Sequence, residues 1–155
     1  MESMRVHISL VDTPRIPSQG QVSPPPEPPR IAAPTRRAGR LLRLVISWQR
    51  CGSGSELRVQ ITGDLDAATA PVLSEALIRA RRDLRTVQGA VGIMLDLCAV
   101  PFLGAGGMHV IANAHNDCAA DGLRLRVVAQ HLAVTRPLTL TGLDRLLDLR
   151  PTPSR

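Results

Sequence analysis

The chain has 155 residues, 44% of them apolar and only 1% aromatic, and its formal charge of +6 is carried by 19 arginines without a single lysine. That length is roughly one domain, and with Trp48 and Phe102 as its aromatic residues the chain lacks the platforms on which single-stranded bases stack. Residues 1–40 hold six arginines against three acids, whereas residues 41–150 hold twelve against ten. A nucleic-acid binder concentrates charge on its folded surface, so direct nucleic-acid binding is not expected.

No apolar run approaches the roughly 18–20 residues that span a membrane, and the N-terminus lacks the apolar core of a signal peptide. Cys51, Cys98 and Cys118 are too few and of the wrong parity for a disulfide framework, and their spacings match no redox or zinc pattern. A reducing cytoplasm is the expected compartment. Eight of the thirteen prolines fall in residues 14–34, densest at Pro24-Pro25-Pro26-Glu27-Pro28-Pro29. Each removes a backbone donor and fixes φ, so residues 1–39 are expected to form an extended, disordered arm.

The folded domain is expected over residues 40–150, with 151–155 as a flexible tail. Leu42, Leu44, Ile46 and Trp48 alternate with more polar positions, and after Gly52-Ser53-Gly54-Ser55 the alternation resumes at Leu57, Val59 and Ile61. Two such runs across a Gly/Ser turn predict a β-hairpin. Asp66, Thr69 and Pro71 then signal a helix start, and Val72, Leu73, Ala76, Leu77, Ala80 and Leu84 recur at helical spacing. Arg79, Arg81, Arg82 and Arg85 crowd its last turns, where cations complement the helix dipole. The continuous run Ala90–Leu95 predicts a central strand buried on both faces.

A loop through Pro101-Phe102-Leu103 leads to Gly104-Ala105-Gly106-Gly107 and a second helix over 107–121, with Met108, Ile111, Ala112, His115 and Ala119 on one face and Asp121-Gly122 as its stop. Leu123, Leu125 and Val127 predict a further strand. A last helical pattern runs from Leu132 to Leu140, with Pro137 implying a kink or a start, and ends at Gly142. The order β-β-α-β-α-β-α is that of one α/β domain with a mixed sheet of four to five strands and helical crossovers.

Candidate chemistries are weak. The glycines at 104–107 open a helix, whose free N–H groups attract anions, but the dinucleotide fingerprint fails at His109 and a P-loop needs a lysine. His115 and Cys118 have helical ligand spacing, with Asp121 and His131 near in sequence, yet metal needs three or four converging ligands. No serine lies between Ser74 and Ser154 to act as nucleophile. Asp64 and Asp66 are explained by capping and loop closure. No catalytic residue, metal site or cofactor is expected, and the chain reads as a non-enzyme.

The stretch Ile61-Thr62-Gly63-Asp64-Leu65-Asp66-Ala67-Ala68-Thr69-Ala70-Pro71 resembles the G-[ED]-L-D-x-x-T-A-P signature of the STAS domain, typical of bacterial anti-sigma factor antagonists. Leu95-Asp96-Leu97, Phe102-Leu103 and Gly107-Met108 are similar to that family's second motif, and Leu138-Thr139-Leu140-Thr141-Gly142-Leu143-Asp144 to its C-terminal one. The resemblance covers about 110 residues. It implies a regulatory protein that binds an anti-sigma factor, often a serine kinase with an ATP-binding fold, and so frees a sigma factor for transcription. The implied docking face comprises Asp64, Asp66, Leu103, Gly104, Ala105, Gly106, Gly107, Met108 and His109.

In the family, phosphorylation of a serine at the start of the second helix ends binding, because phosphate brings about −1.5 to −2 charge into the interface. Here that position is Gly106 and its neighbour is Ala105. The expected consequence is a constitutive binder, or one regulated otherwise. A Cys51–Cys118 redox pair is one candidate substitute, since both cysteines are placed at the same pole of the sheet. Competing readings are an adaptor for another assembly or a transporter, and a nucleotide- or small-ligand-binding module.

Overall fold

Residues 42–150 are described by a computed structural model. The arm expected at 1–39 and the tail expected at 151–155 lie outside the described residues. In chain order the elements are β1 (Arg43–Cys51), β2 (Gly54–Thr62), α1 (Ala70–Leu84), β3 (Ala90–Ala99), α2 (Ala105–Ala120), β4 (Arg124–Val128), α3 (Leu132–Leu140), α4 (Leu143–Leu146) and β5 (Asp148–Arg150). The strands lie side by side in that same order. β1 and β2 form the antiparallel hairpin, and every later neighbour is parallel.

Because each parallel crossover steps the same way and is right-handed, the helices fall on one face of the sheet. That face is an aliphatic sheet of partners in register: Ile46 opposite Val59, Val59 opposite Leu95, and Leu95 opposite Val127. Leu73, Ala76, Leu77, Ala80 and Leu84 of α1, Ile111, Ala114 and Cys118 of α2, and Val134 and Leu138 of α3 close over it in one core. A buried leucine contributes about as much as a buried phenylalanine, roughly 1.5–3 kcal/mol, so the core needs no aromatic residues beyond Trp48.

The structure departs from the sequence reading in α2, α3 and β3. The buried stripe of α2 is Gly107, Ile111, Ala114 and Cys118, which leaves Met108, Ala112 and His115 half-buried and Ala119 exposed. Pro137 sits inside α3 and does not start it. A short α4 and a three-residue strand β5 follow the expected element order and bring the sheet to five strands, within the four to five expected.

β3, expected to be an apolar strand buried on both faces, has one apolar face, formed by Ile93, Leu95 and Leu97, packed against the helices. Its opposite positions, Met94 and Asp96, belong to a polar face. There Glu56, 1% exposed, accepts hydrogen bonds from Arg126 through Nε at 2.9 Å and through a second guanidinium nitrogen, and from Gln49 Nε2 at 3.1 Å. Arg58 pairs with Asp96 through one guanidinium nitrogen. Burial opposes the Asp96 charge, but the Arg58 guanidinium and the Cys98 amide outweigh it and hold the carboxyl below its ordinary range.

Candidate functional site

The first motif makes a turn between β2 and α1 whose polar groups satisfy one another. The Asp66 carboxylate accepts the backbone N–H groups of Ala68 at 2.9 Å and Thr69 at 3.1 Å. The Thr69 hydroxyl donates to the Asp64 carbonyl at 2.8 Å and accepts the Asp66 N–H at 3.0 Å. Thr69 is 2% exposed, so its hydroxyl is a buried fastener. The Asp66 carboxylate, expected at the docking face, is spent on holding the turn; Asp64 is half-buried beside it.

That turn is bolted to the loop entering α2. Leu65 and Leu103 form an isolated parallel bridge, with the Leu65 N–H donating to the Phe102 carbonyl at 2.9 Å and the Gly104 N–H to the Leu65 carbonyl at 2.8 Å. Both leucines are buried. Gly104 is the extended N-cap of α2, and the first helical bond runs from the Met108 N–H to its carbonyl at 3.1 Å.

The glycines permit close approach rather than unusual dihedral angles. A β-carbon on Gly107 would lie 2.7 Å from Leu103 Cδ1 and 3.0 Å from the Leu65 carbonyl oxygen. One on Gly106 would lie 3.0 Å from Ala67 Cα and 3.5 Å from Ala70 Cβ. Gly106, expected from the resemblance to stand at the family's phosphoacceptor position, is therefore a packing contact between α2 and the β2–α1 turn.

The residues expected at the docking face divide into support and surface. Leu103 and Gly107 are buried, Gly104, Gly106 and Met108 are half-buried, and Ala105 and His109 are exposed. Phe102, a residue of the second motif outside the expected face, is 47% exposed beside Gly104. Ala67, Ala68 and Pro71 are exposed on the neighbouring turn. The signal for Phe102 was its isolation: the chain's one phenylalanine stands in a loop after Pro101. His109 is hydrogen-bonded along the helix to Asn113 at 3.1 Å.

Cys51 and Cys118 share a pole, as expected, but not a face. Strand alternation puts Cys51 on the polar face with Gln49 and Glu56, whereas Cys118 is buried in α2 against the core. The sheet stands between them. Burial pushes the Cys118 thiol up to about 11, despite the nearby Arg81 charge; both residues are thiols in this structure. Among the described residues no cluster of His, Cys, Asp and Glu could hold a metal ion, and no helix is long and apolar enough to cross a membrane.

Comparison with known proteins agrees with this architecture. The STAS domain model matches residues 49–154. The chain is 33% identical over 94 residues to the anti-sigma-F factor antagonist RsfB of Mycobacterium tuberculosis, covering 61% of this chain and 72% of RsfB. An anti-sigma factor antagonist from Mycobacterium paratuberculosis superposes with a TM-score of 0.57 at 29% identity, over 71% of this chain and 87% of that one. SpoIIAA in its unphosphorylated form superposes with a TM-score of 0.54 over 70% of this chain and 89% of its own, and at 10% identity that likeness concerns the fold alone. The motif residues thus build the turn, bridge and helix start of a shared fold, and the chain belongs to the STAS domain family.

Proposed function

We propose that the chain is an anti-sigma factor antagonist: a regulatory, non-catalytic protein that docks on an anti-sigma factor through the start of α2 and thereby frees a sigma factor for transcription. The observation that carries this reading is the exposed row of Phe102, Ala105 and His109 standing on the Leu65–Leu103 bridge. A large apolar ring held on rigid backbone is the kind of anchor that dominates protein interfaces. The relatives named as anti-sigma factor antagonists support the partner class, and the family resemblance supports a partner with a kinase-like ATP-binding fold in the cytoplasm.

Regulation by phosphate at this face is absent in this reading. Gly106 and Ala105 carry no hydroxyl, and the sequence has no serine, threonine or tyrosine between Thr86 and Thr135. Binding is therefore constitutive at this position, and any control acts elsewhere. Calorimetric titration against the recombinant anti-sigma factors of the source organism tests the proposal. Wild-type chain binds one of them, and Phe102→Asp weakens that binding at least tenfold. Equal binding by Phe102→Asp would move the interface away from the α2 start, while titration with ATP or GTP alone tests the ligand-binding alternative.

A further inference from the structure

α1 and α2 run side by side from the same pole of the sheet, but their separation is not uniform. At their starts Gly106 lets the backbones close up against Ala67 and Ala70. At their far ends Arg81 ties α1 to Asp117 at 3.2 Å and to Asp121 at 3.3 Å. Between these two fastenings the helices leave an open cleft of about 210 Å³, walled by Leu77, Ile78, Val110 and Ala114 and rimmed by Ser74 and Asn113.

Three features define what such a cleft accepts. Its volume falls below the roughly 300–1,000 Å³ of pockets that enclose whole small molecules, so it suits a single side chain. Its walls are mainly apolar, and the charged residues that line its far end, Arg81 and Asp117, are already paired with each other, so a neutral apolar group is favoured over a charged one. Ile78, 47% exposed, forms a lip that an incoming side chain would cover.

The cleft is also continuous with the proposed docking face. Asn113 lines its rim and is the residue bonded to His109. The eight helical steps from Ala105 to Asn113 rise about 12 Å, within the span of a standard interface of about 800 Å² per partner. We infer that the α1–α2 cleft is a second anchor point on the same docking face, receiving one aliphatic or methionine side chain from the anti-sigma factor that holds the α2 start. This rests on the reading of the chain as an anti-sigma factor antagonist.

The full-length chain is titrated with the anti-sigma factor that binds it, comparing wild type, Ile78→Asp at the exposed lip, Ser74→Phe filling the cleft from its rim, and Phe102→Asp at the α2 start, each with a thermal melt. The inference expects Ile78→Asp and Ser74→Phe to weaken binding at least tenfold with unchanged melting. In wild-type chain, the methyl signals of Leu77, Ile78 and Val110 shift on saturation, a readout that needs no variant to fold. Wild-type affinity in both cleft variants with unmoved methyl signals would overturn the cleft while leaving the docking reading intact, provided Phe102→Asp still loses binding. Absence of binding by the wild-type chain would overturn both.

Discussion

Gly106 lies so close to Ala67 that a β-carbon on the glycine would stand 3.0 Å from the Ala67 Cα. The residue proposed to stand at the phosphoacceptor position is thus the point where α2 and the β2–α1 turn are pressed together. Adding a side chain there changes shape as well as chemistry, so a charged substitution alone cannot isolate the effect of charge.

Gly106→Ala is expected to lower stability by about 1 kcal/mol. Crowding a packed contact costs roughly 1–3 kcal/mol, and relieving glycine's backbone entropy returns about 0.4–1 kcal/mol. The turn resists giving way because Asp66 and Thr69 fasten it. Urea denaturation measures the change; a midpoint equal to or above wild type would show that the turn yields.

Thr69→Val keeps the shape of a buried side chain and removes its hydroxyl. The Asp66 N–H and the Asp64 carbonyl then lose the partner they share. Leaving such groups unsatisfied costs about 1–3 kcal/mol, and the helix start and docking turn loosen together. Increased amide exchange at Asp66–Ala70 accompanies the loss, and unchanged exchange would separate Thr69 from the turn's order.

On the helix-free face, Arg126→Met strands the buried Glu56 carboxylate and is expected to cost about 3 kcal/mol. The double variant Glu56→Leu/Arg126→Met removes both charges and recovers most of that loss. Equilibrium unfolding of the two variants checks the pair, and additive losses in the double variant would contradict a stranded charge as the cause.

Asp96 predicts the acid response. Its folded carboxyl titrates below the ordinary value of about 3.9, so the unfolded chain binds protons first as pH falls. The stabilisation is complete above that ordinary value and is lost as pH drops through the lower folded one. Asp96→Asn therefore flattens the decline of the urea midpoint below about pH 4 relative to wild type; parallel declines would assign the acid sensitivity to other carboxyls.

Much of this molecule was legible in its sequence because the informative residues repeat. The alternation Leu44-Ile46-Trp48 and Leu57-Val59-Ile61 has one reading, and α1 buries Leu73, Ala76, Leu77, Ala80 and Leu84 as its spacing predicts. β5 offers only Leu149 between two charged residues, too short a run to show a period. The face of α2 is ambiguous in sequence because its alanines and glycines are compatible with two stripes, and Cys118 rather than His115 is buried.

At the site, the three motifs mark the turn, the bridge and the helix start, but not which of their residues reach the surface. Leu103 and Phe102 are neighbours of similar hydropathy, yet the bridge to Leu65 buries one and leaves the other in solvent. The polar face shows the same limit. Glu56 and Arg126 are 70 residues apart, and only the parallel stacking of β2, β3 and β4 brings them together. A charge in an alternating strand announces an outward face, not the partner that buries it.

The central claim is that this chain binds an anti-sigma factor through the α2 start without a phosphate switch. The direct measurement is calorimetric titration of the full chain with that factor, before and after incubation with the factor and ATP, with intact mass recorded in parallel. The expected result is the same affinity in both titrations and no phosphate on residues 100–122. Loss of binding accompanied by phosphate within that stretch would contradict it.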